Sequence, residues 1–205
     1  MRWVVVIPVK LGAEGKTRLA DALSPGARER LVRAMAVDTV AAACAAPSVH
    51  RVVLVTADPV LRSLLATSTD LVDDPGGGLN AALRAGVERA REVAPDAGAA
   101  ILLGDLPALR PEDLADALDM AAGHDRAVVA DAEGSGTTLL AALPGITLDP
   151  QFGAGSSAAH ERAGHVRLDV AATSTVRQDV DVPADLVSVE GLGVGPATHE
   201  VLGLG

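Results

Sequence analysis

Trp3 to Leu19, WVVVIPVKLGAEGKTRL, is the stretch whose reading decides the fold. Its first part, Trp3 to Val9, is an unbroken apolar run except for Pro8. A run without polar alternation reads as a strand buried on both faces, as strands of parallel sheets are. It opens into a loop bearing Lys10, Gly12, Gly15, Lys16, Thr17 and Arg18. Glycines let a backbone approach an anion and cations offset its charge, so this loop is a candidate phosphate site. A first strand followed by a solvated basic turn would look the same, and short motifs match by chance often.

Working outward, the chain alternates helix and strand signals. Ser24-Pro25 reads as an N-cap followed by proline at the first helical position, for a helix to about Ala46. Val52–Thr56 is a second apolar strand, and Asp58-Pro59 starts another helix, to about Ala66. Leu71-Val72 is a short strand, followed by Gly76-Gly77-Gly78 and a helix over about Leu79–Val93. Ala99–Leu103 is a strand ending at Gly104-Asp105. A helix from Pro111 and a strand over Ala127–Ala130 follow. The alternation predicts an α/β architecture: a parallel sheet covered by helices on both faces. Ligands then sit beyond the carboxyl ends of the strands, where the loops 10–18, 56–58, 73–80 and 104–107 fall.

After Asp131 the pattern changes. Thr137–Leu143 reads as a strand, Ser156–Ala163 as a short helix, His165–Val170 as a strand and Pro183–Leu192 as a last helix. We read 1–205 as a single domain in which about 131–178 is an acceptor-binding insertion returning to the main sheet. The glycine-rich end from Gly193 carries no functional signal.

Bulk properties narrow the function. The 205 residues are 49% hydrophobic but only 1% aromatic, so the core is Val, Leu and Ala. A formal net charge of −10 argues against general nucleic-acid binding and against an anionic membrane surface. One cysteine, Cys44, excludes an internal disulfide framework and suggests a reducing, cytoplasmic setting, with Cys44 packed inertly in its helix. The N-terminal apolar run is too short to span a membrane and lacks a signal-peptide pattern.

Among phosphate chemistries, Gly15-Lys16-Thr17 matches the end of a P-loop, but its first glycine would fall at Lys10, and Ser24-Pro25-Gly26 interrupts the helix a P-loop requires. A nucleotidyltransferase site fits better. Asp105, at the end of a central strand, would hold a divalent ion, with Asp181 as second carboxylate and Asp179 as the spare. Each aspartate could instead merely cap a helix or turn. Gly76-Gly77-Gly78 permits close approach of a base or ribose, and Asn80 could hydrogen-bond it. Gln151–Ser157, QFGAGSS, is a second candidate anion site, in which glycines, helix-start N–H groups and the Ser156 and Ser157 hydroxyls face a small acid, aided by Thr138. His160 is a tempting catalyst, but a lone histidine on a short helix is more often structural.

Taken in order, these motifs resemble the 2-phospho-L-lactate and phosphoenolpyruvate guanylyltransferases of coenzyme F-420 biosynthesis. The segments are IPVK with GKTRLA (7–20), VTADP (55–59), GGGLNAAL (76–83), GDLPAL (104–109), GTT (136–138), QFGAGSSAAH (151–160) and DVDVPADL (179–186). The resemblance implies an α/β nucleotidyltransferase fold of glycosyltransferase-A-like type, with a Rossmann-like mixed, mostly parallel sheet and helices on both faces. It also implies transfer of guanylyl from GTP to phosphoenolpyruvate, 2-phospho-L-lactate or 3-phosphoglycerate, with pyrophosphate released and Mg²⁺ as cofactor. Phosphoenolpyruvate is preferred because the composition looks bacterial. Carried over by position, Thr138, Gly153 and Ser156 bind the phosphoacid, and Asp105 and Asp181 the metal. Pro8, Val9, Lys10, Lys16, Arg18, Gly78 and Asn80 bind the nucleotide, with Asp105, Lys16 and Arg18 catalytic. DVDVP stands where DVDTP is usual, which puts the local helix cap in question. The resemblance leaves room for a homodimer and for hand-over of product to the next enzyme. A GTP-binding sensor or scaffold without turnover is the alternative of another class.

Overall fold

The computed structural model describes residues 1–10 and 23–203. The elements run β1 (Trp3–Pro8), α1 (Pro25–Ala45), β2 (Val49–Val55), α2 (Pro59–Leu65), β3 (Asp70–Val72), α3 (Leu79–Val93), β4 (Gly98–Leu102), α4 (Pro111–Ala121), β5 (Arg126–Ala130), β6 (Thr137–Ala142), α5 (Ser156–Arg162), β7 (Val166–Arg167), α6 (Pro183–Leu192) and α7 (Pro196–Leu202). The described strands form one sheet in the order β3-β2-β1-β4-β6-β5-β7. β1 lies between β2 and β4, parallel to both. Its residues alternate between the two cores: Trp3, Val5 and Ile7 face α1, α2 and α4, and Val4 and Val6 face α3. That explains a run with no polar member, because neither face meets water.

β6 departs from the simple alternation. It runs antiparallel between β4 and β5, so the sheet is mixed at this side. Thr137–Ala142 is the segment after the turn at Gly134–Gly136, and its pairing makes it part of the main sheet. A bulge interrupts its register with β5: Val129 lies opposite Leu139, but Ala130 lies opposite Thr137. The strand expected over His165–Val170 is only Val166–Arg167.

Helix starts follow local chemistry. The Ser24 hydroxyl accepts from Ala27 N, and Asp58 Oδ1 accepts from Val60 N and Leu61 N at 2.7 and 2.9 Å. The glycine-rich end is not a loose tail. α7 docks on α1, where the buried Asp38 carboxylate accepts from Ala197 N and Thr198 N at 3.0 and 2.7 Å. Cys44, expected to pack inside, is exposed on α1 and donates to Ser68 O at 3.7 Å.

Candidate active site

A cavity of about 400 Å³ opens at the carboxyl ends of β1 and β4 and is walled by Lys10, Gly78, Asp105, Thr137, Gly153 and Ser156, among others. It lies at the edge where an open α/β sheet presents its ligand loops. The loops differ in how they contribute. Pro8, Val9 and Lys10 continue β1 into the wall. Gly104 follows β4, and a Cβ there would stand 3.0 Å from both Pro8 O and Val9 Cγ2, so a side chain would crowd the Asp105 turn against β1. The 56–58 loop, by contrast, is structural: Asp58 caps α2 and pairs with Arg33 at 2.9 Å.

Three carboxylates converge here. Asp105, Asp179 and Asp181 each offer an oxygen, all within 4.8 Å of one another. Both aspartates of the Asp179-Val180-Asp181 run line the cavity. Val180 N donates to Asp105 O at 3.1 Å, and the Val180 side chain is buried against Leu31, Met35 and Val189. Val180 thus anchors the segment in the core, and its neighbours Asp179 and Asp181 line the cavity. Asp179 stands in the same cluster as Asp105 and Asp181. Val182 is the N-cap position of α6, and the N–H groups at this end need an acceptor. That task falls to Asp185, whose Oδ2 accepts from Asp181 N and Val182 N, both at 2.8 Å. The side chain of Val182 is not needed for the cap, which removes the question raised by DVDVP.

Several other candidates have partners that redefine them. Lys10 lines the cavity, but its ammonium sits 3.3 Å from Asp74 Oδ2, tying the first loop to the glycine loop. Gly76, Gly77 and Gly78 have φ of 78°, 78° and 93°, a left-handed run that other residues rarely adopt. Asn80 does not face the cavity as a base-reading group. Its amide donates to Phe152 O at 3.0 Å and its oxygen accepts from Phe152 N at 2.9 Å, clamping the 151–153 loop. In the QFGAGSS stretch, Ser156 N donates to Gly153 O and Ser157 N to Ser135 O, so these N–H groups are not open to an anion as expected. Ser157 Oγ bonds Glu161 Oε1 at 3.3 Å.

Gly153 and Ser156 do line the cavity. Of the two threonines on β6, Thr137 is the one on the wall, because the bulge re-aims the strand end. Thr138 is fully buried, and its Oγ1 has no hydrogen-bond partner among the described residues. Reasoning from sequence missed Thr137, Phe152 and Asp131. The signal for Asp131 was present: an aspartate before a Ser-Gly turn accepts backbone N–H groups, here from Ser135 and Gly136 at 2.9 and 2.8 Å. His160 is buried behind the wall, bonded to Thr137 Oγ1 and to Gln151 N, both at 3.0 Å. Burial, reinforced by neighbouring His165, lowers its pKa from 6.5 to about 4, so the ring is neutral at physiological pH. Lys16 and Arg18 lie outside the described residues.

Residues 3–202 match the family described as guanylyl transferase CofC like. The chain belongs to this family. A protein of Streptomyces scabiei named phosphoenolpyruvate guanylyltransferase is 52% identical over 97% of this chain and 94% of its own length. One of the same name from Sanguibacter keddieii is 50% identical over 98% of this chain and 84% of its own. Among solved structures, CMP:2-keto-3-deoxy-manno-octonic acid synthetase complexed with CTP superposes with a TM-score of 0.60 at 19% identity, covering 94% of this chain and 98% of the other. Rv0371c of Mycobacterium tuberculosis, complexed with manganese, gives 0.56 at 20% identity, covering 92% and 97%. At such identities the likeness is one of fold: this guanylyltransferase-family chain has the nucleotidyltransferase architecture. Among the described residues no helix is long and apolar enough to cross a membrane.

Proposed function

We propose that this guanylyltransferase-family protein joins GTP to phosphoenolpyruvate, giving enolpyruvoyl-diphospho-guanosine and pyrophosphate, in coenzyme F-420 biosynthesis in the cytoplasm. The observation that carries the reading is the convergence, in one cavity, of the Asp105, Asp179 and Asp181 oxygens with the Thr137, Gly153 and Ser156 wall. The names of the relatives at about 50% identity point to the same acceptor. The reaction needs little chemistry from side chains. An acceptor phosphate oxygen, already ionised at neutral pH, forms a bond to the α-phosphorus of GTP. The bond from that phosphorus to the bridging oxygen breaks, and pyrophosphate carries away the electron pair. The protein's part is therefore to position two anions and offset their repulsion.

An all-oxygen donor set suits a hard divalent cation, and we assign Mg²⁺ to the three aspartates. When bound, such an ion neutralises charge on the phosphate oxygens. Without it the described wall carries Asp105, Asp131, Asp179 and Asp181 against the single cation Lys10, a poor place for a triphosphate. Lys16 and Arg18 are assigned to the leaving pyrophosphate on their sequence position. On the acceptor side, Thr137, Gly153 and Ser156 line the cavity and are assigned to the phosphoacid. The pocket could also serve a protein that binds GTP without turnover, and kinetics separate the two. With GTP and Mg²⁺, kcat/KM is expected to be highest for phosphoenolpyruvate among the three phosphoacids. A higher value for 2-phospho-L-lactate or 3-phosphoglycerate would overturn the acceptor assignment, and no pyrophosphate release with any of them would overturn the reaction.

A further inference from the structure

The hydroxyls of Thr137 and Ser156 are 3.1 Å apart, and both residues line the cavity while being almost fully buried. Each hydroxyl has one hydrogen, and which of them donates to the other is open from the oxygen positions. The imidazole behind them limits the choice. Gln151 N can only donate, and its hydrogen bond ends on His160 Nε2. Nε2 is thus the accepting nitrogen, and a neutral ring must carry its hydrogen on Nδ1. Nδ1 faces Thr137 Oγ1 at 3.0 Å, so the ring donates and Thr137 accepts. One hydrogen of the hydroxyl pair then closes the Thr137–Ser156 bond, and the other is left over. With the opposite tautomer Thr137 would donate to Nδ1 and Ser156 to Thr137, and none would remain.

We infer that His160 is a positioning residue for the acceptor: its Nδ1–H tautomer releases one hydrogen of the Thr137–Ser156 pair to donate to an anionic oxygen in the cavity. The inference deepens the proposed function and rests on it for the identity of the anion. The surroundings hold the ring in place. The Phe152 and His165 rings meet it edge-on with centroids 5.1 and 5.6 Å away, and His160 O is bonded by His165 Nδ1 at 3.0 Å. Its lowered pKa keeps the ring neutral, as the hydrogen count requires. The Asn80 clamp on Phe152 fixes the neighbouring peptide, so the Gln151 N–H stays aimed at Nε2.

The test reads the imidazole nitrogens of His160 in ¹⁵N-labelled protein, assigned by their loss in His160→Gln, before and after adding phosphoenolpyruvate. The expected result is the Nδ1–H tautomer in the free protein and a downfield move of the Nδ1 proton on ligand addition, because bonds in a chain polarise one another. Thr137→Val should raise KM for phosphoenolpyruvate about tenfold or more, the scale of one hydrogen bond to a charged group, with KM for GTP unchanged. Thr137→Ser should restore it to within about threefold. The Nε2–H tautomer would overturn the inference whatever the substrate is. An unresponsive Nδ1 proton in a protein that turns over phosphoenolpyruvate would overturn it alone, whereas absence of turnover with any phosphoacid strikes the proposed function instead.

Discussion

Lowering the pH should destabilise this protein through His160. The ring is fully buried and its pKa is lowered from 6.5 to about 4, mainly by loss of solvation and secondarily by His165. Between those values the unfolded chain binds a proton that the folded chain refuses, so stability rises with pH there. The contribution is complete above about pH 6.5 and is lost as pH falls toward 4. A shift of about 2.5 units corresponds to about 3 kcal/mol in all, of which roughly 2 kcal/mol is gone by about pH 5. His165, also lowered by burial, adds in the same direction. Urea unfolding of the wild type and of His160→Gln, at steps of pH between 7.5 and 4.5, isolates the term. The variant should be less stable at neutral pH, and the gap should narrow by about 2 kcal/mol on acidification to about pH 5. Two curves that stay parallel across that range would refute the reasoning, because carboxylates elsewhere act equally on both proteins.

Other expectations follow from individual contacts. Asp105→Asn should lose at least about a hundredfold in kcat, the scale of an electrostatic group acting on the transition state, with an unchanged Tm. Near-wild-type turnover would remove Asp105 from the cation site. Asn80→Ala removes both bonds to Phe152 and should cost about 1–3 kcal/mol while raising KM for the phosphoacid more than for GTP. An effect on GTP alone would return Asn80 to base recognition. Asp38→Ala uncaps α7 and should cost about 1–2 kcal/mol, with amide exchange accelerating over 196–202. Unchanged protection there would mean that the tail docks by apolar contact alone.

What the sequence made legible is what local chemistry dictates. β1 declares itself because burial on both faces leaves no polar residue between Trp3 and Val9, and α1 and α2 begin where Ser24-Pro25 and Asp58-Pro59 place a cap before a proline. Asp105 was readable as the polar residue ending a central apolar strand. The pairings that join distant segments were not. β6 enters antiparallel between β4 and β5, and nothing within Thr137–Ala142 specifies those neighbours. The bulge that exchanges Thr137 for Thr138 on the cavity wall depends on that pairing too. α7 is seven residues flanked by glycines, too short to be stable alone, and its cap comes from Asp38 on α1. Asn80 shows the same limit at the site: a polar side chain beside a glycine loop reads as ligand-binding until its partner, 72 residues away, is seen to be the Phe152 backbone.

The central claim is attack on the α-phosphorus of GTP by a phosphoacid in the cavity bounded by Asp105, Asp179, Asp181 and Ser156. The measurement that tests it most directly is ³¹P NMR of the wild-type protein with GTP, Mg²⁺ and phosphoenolpyruvate. The account predicts two mutually coupled diphosphate resonances that retain the acceptor's phosphorus, growing in step with free pyrophosphate. GDP and orthophosphate as products, or GTP left intact though bound, would contradict it.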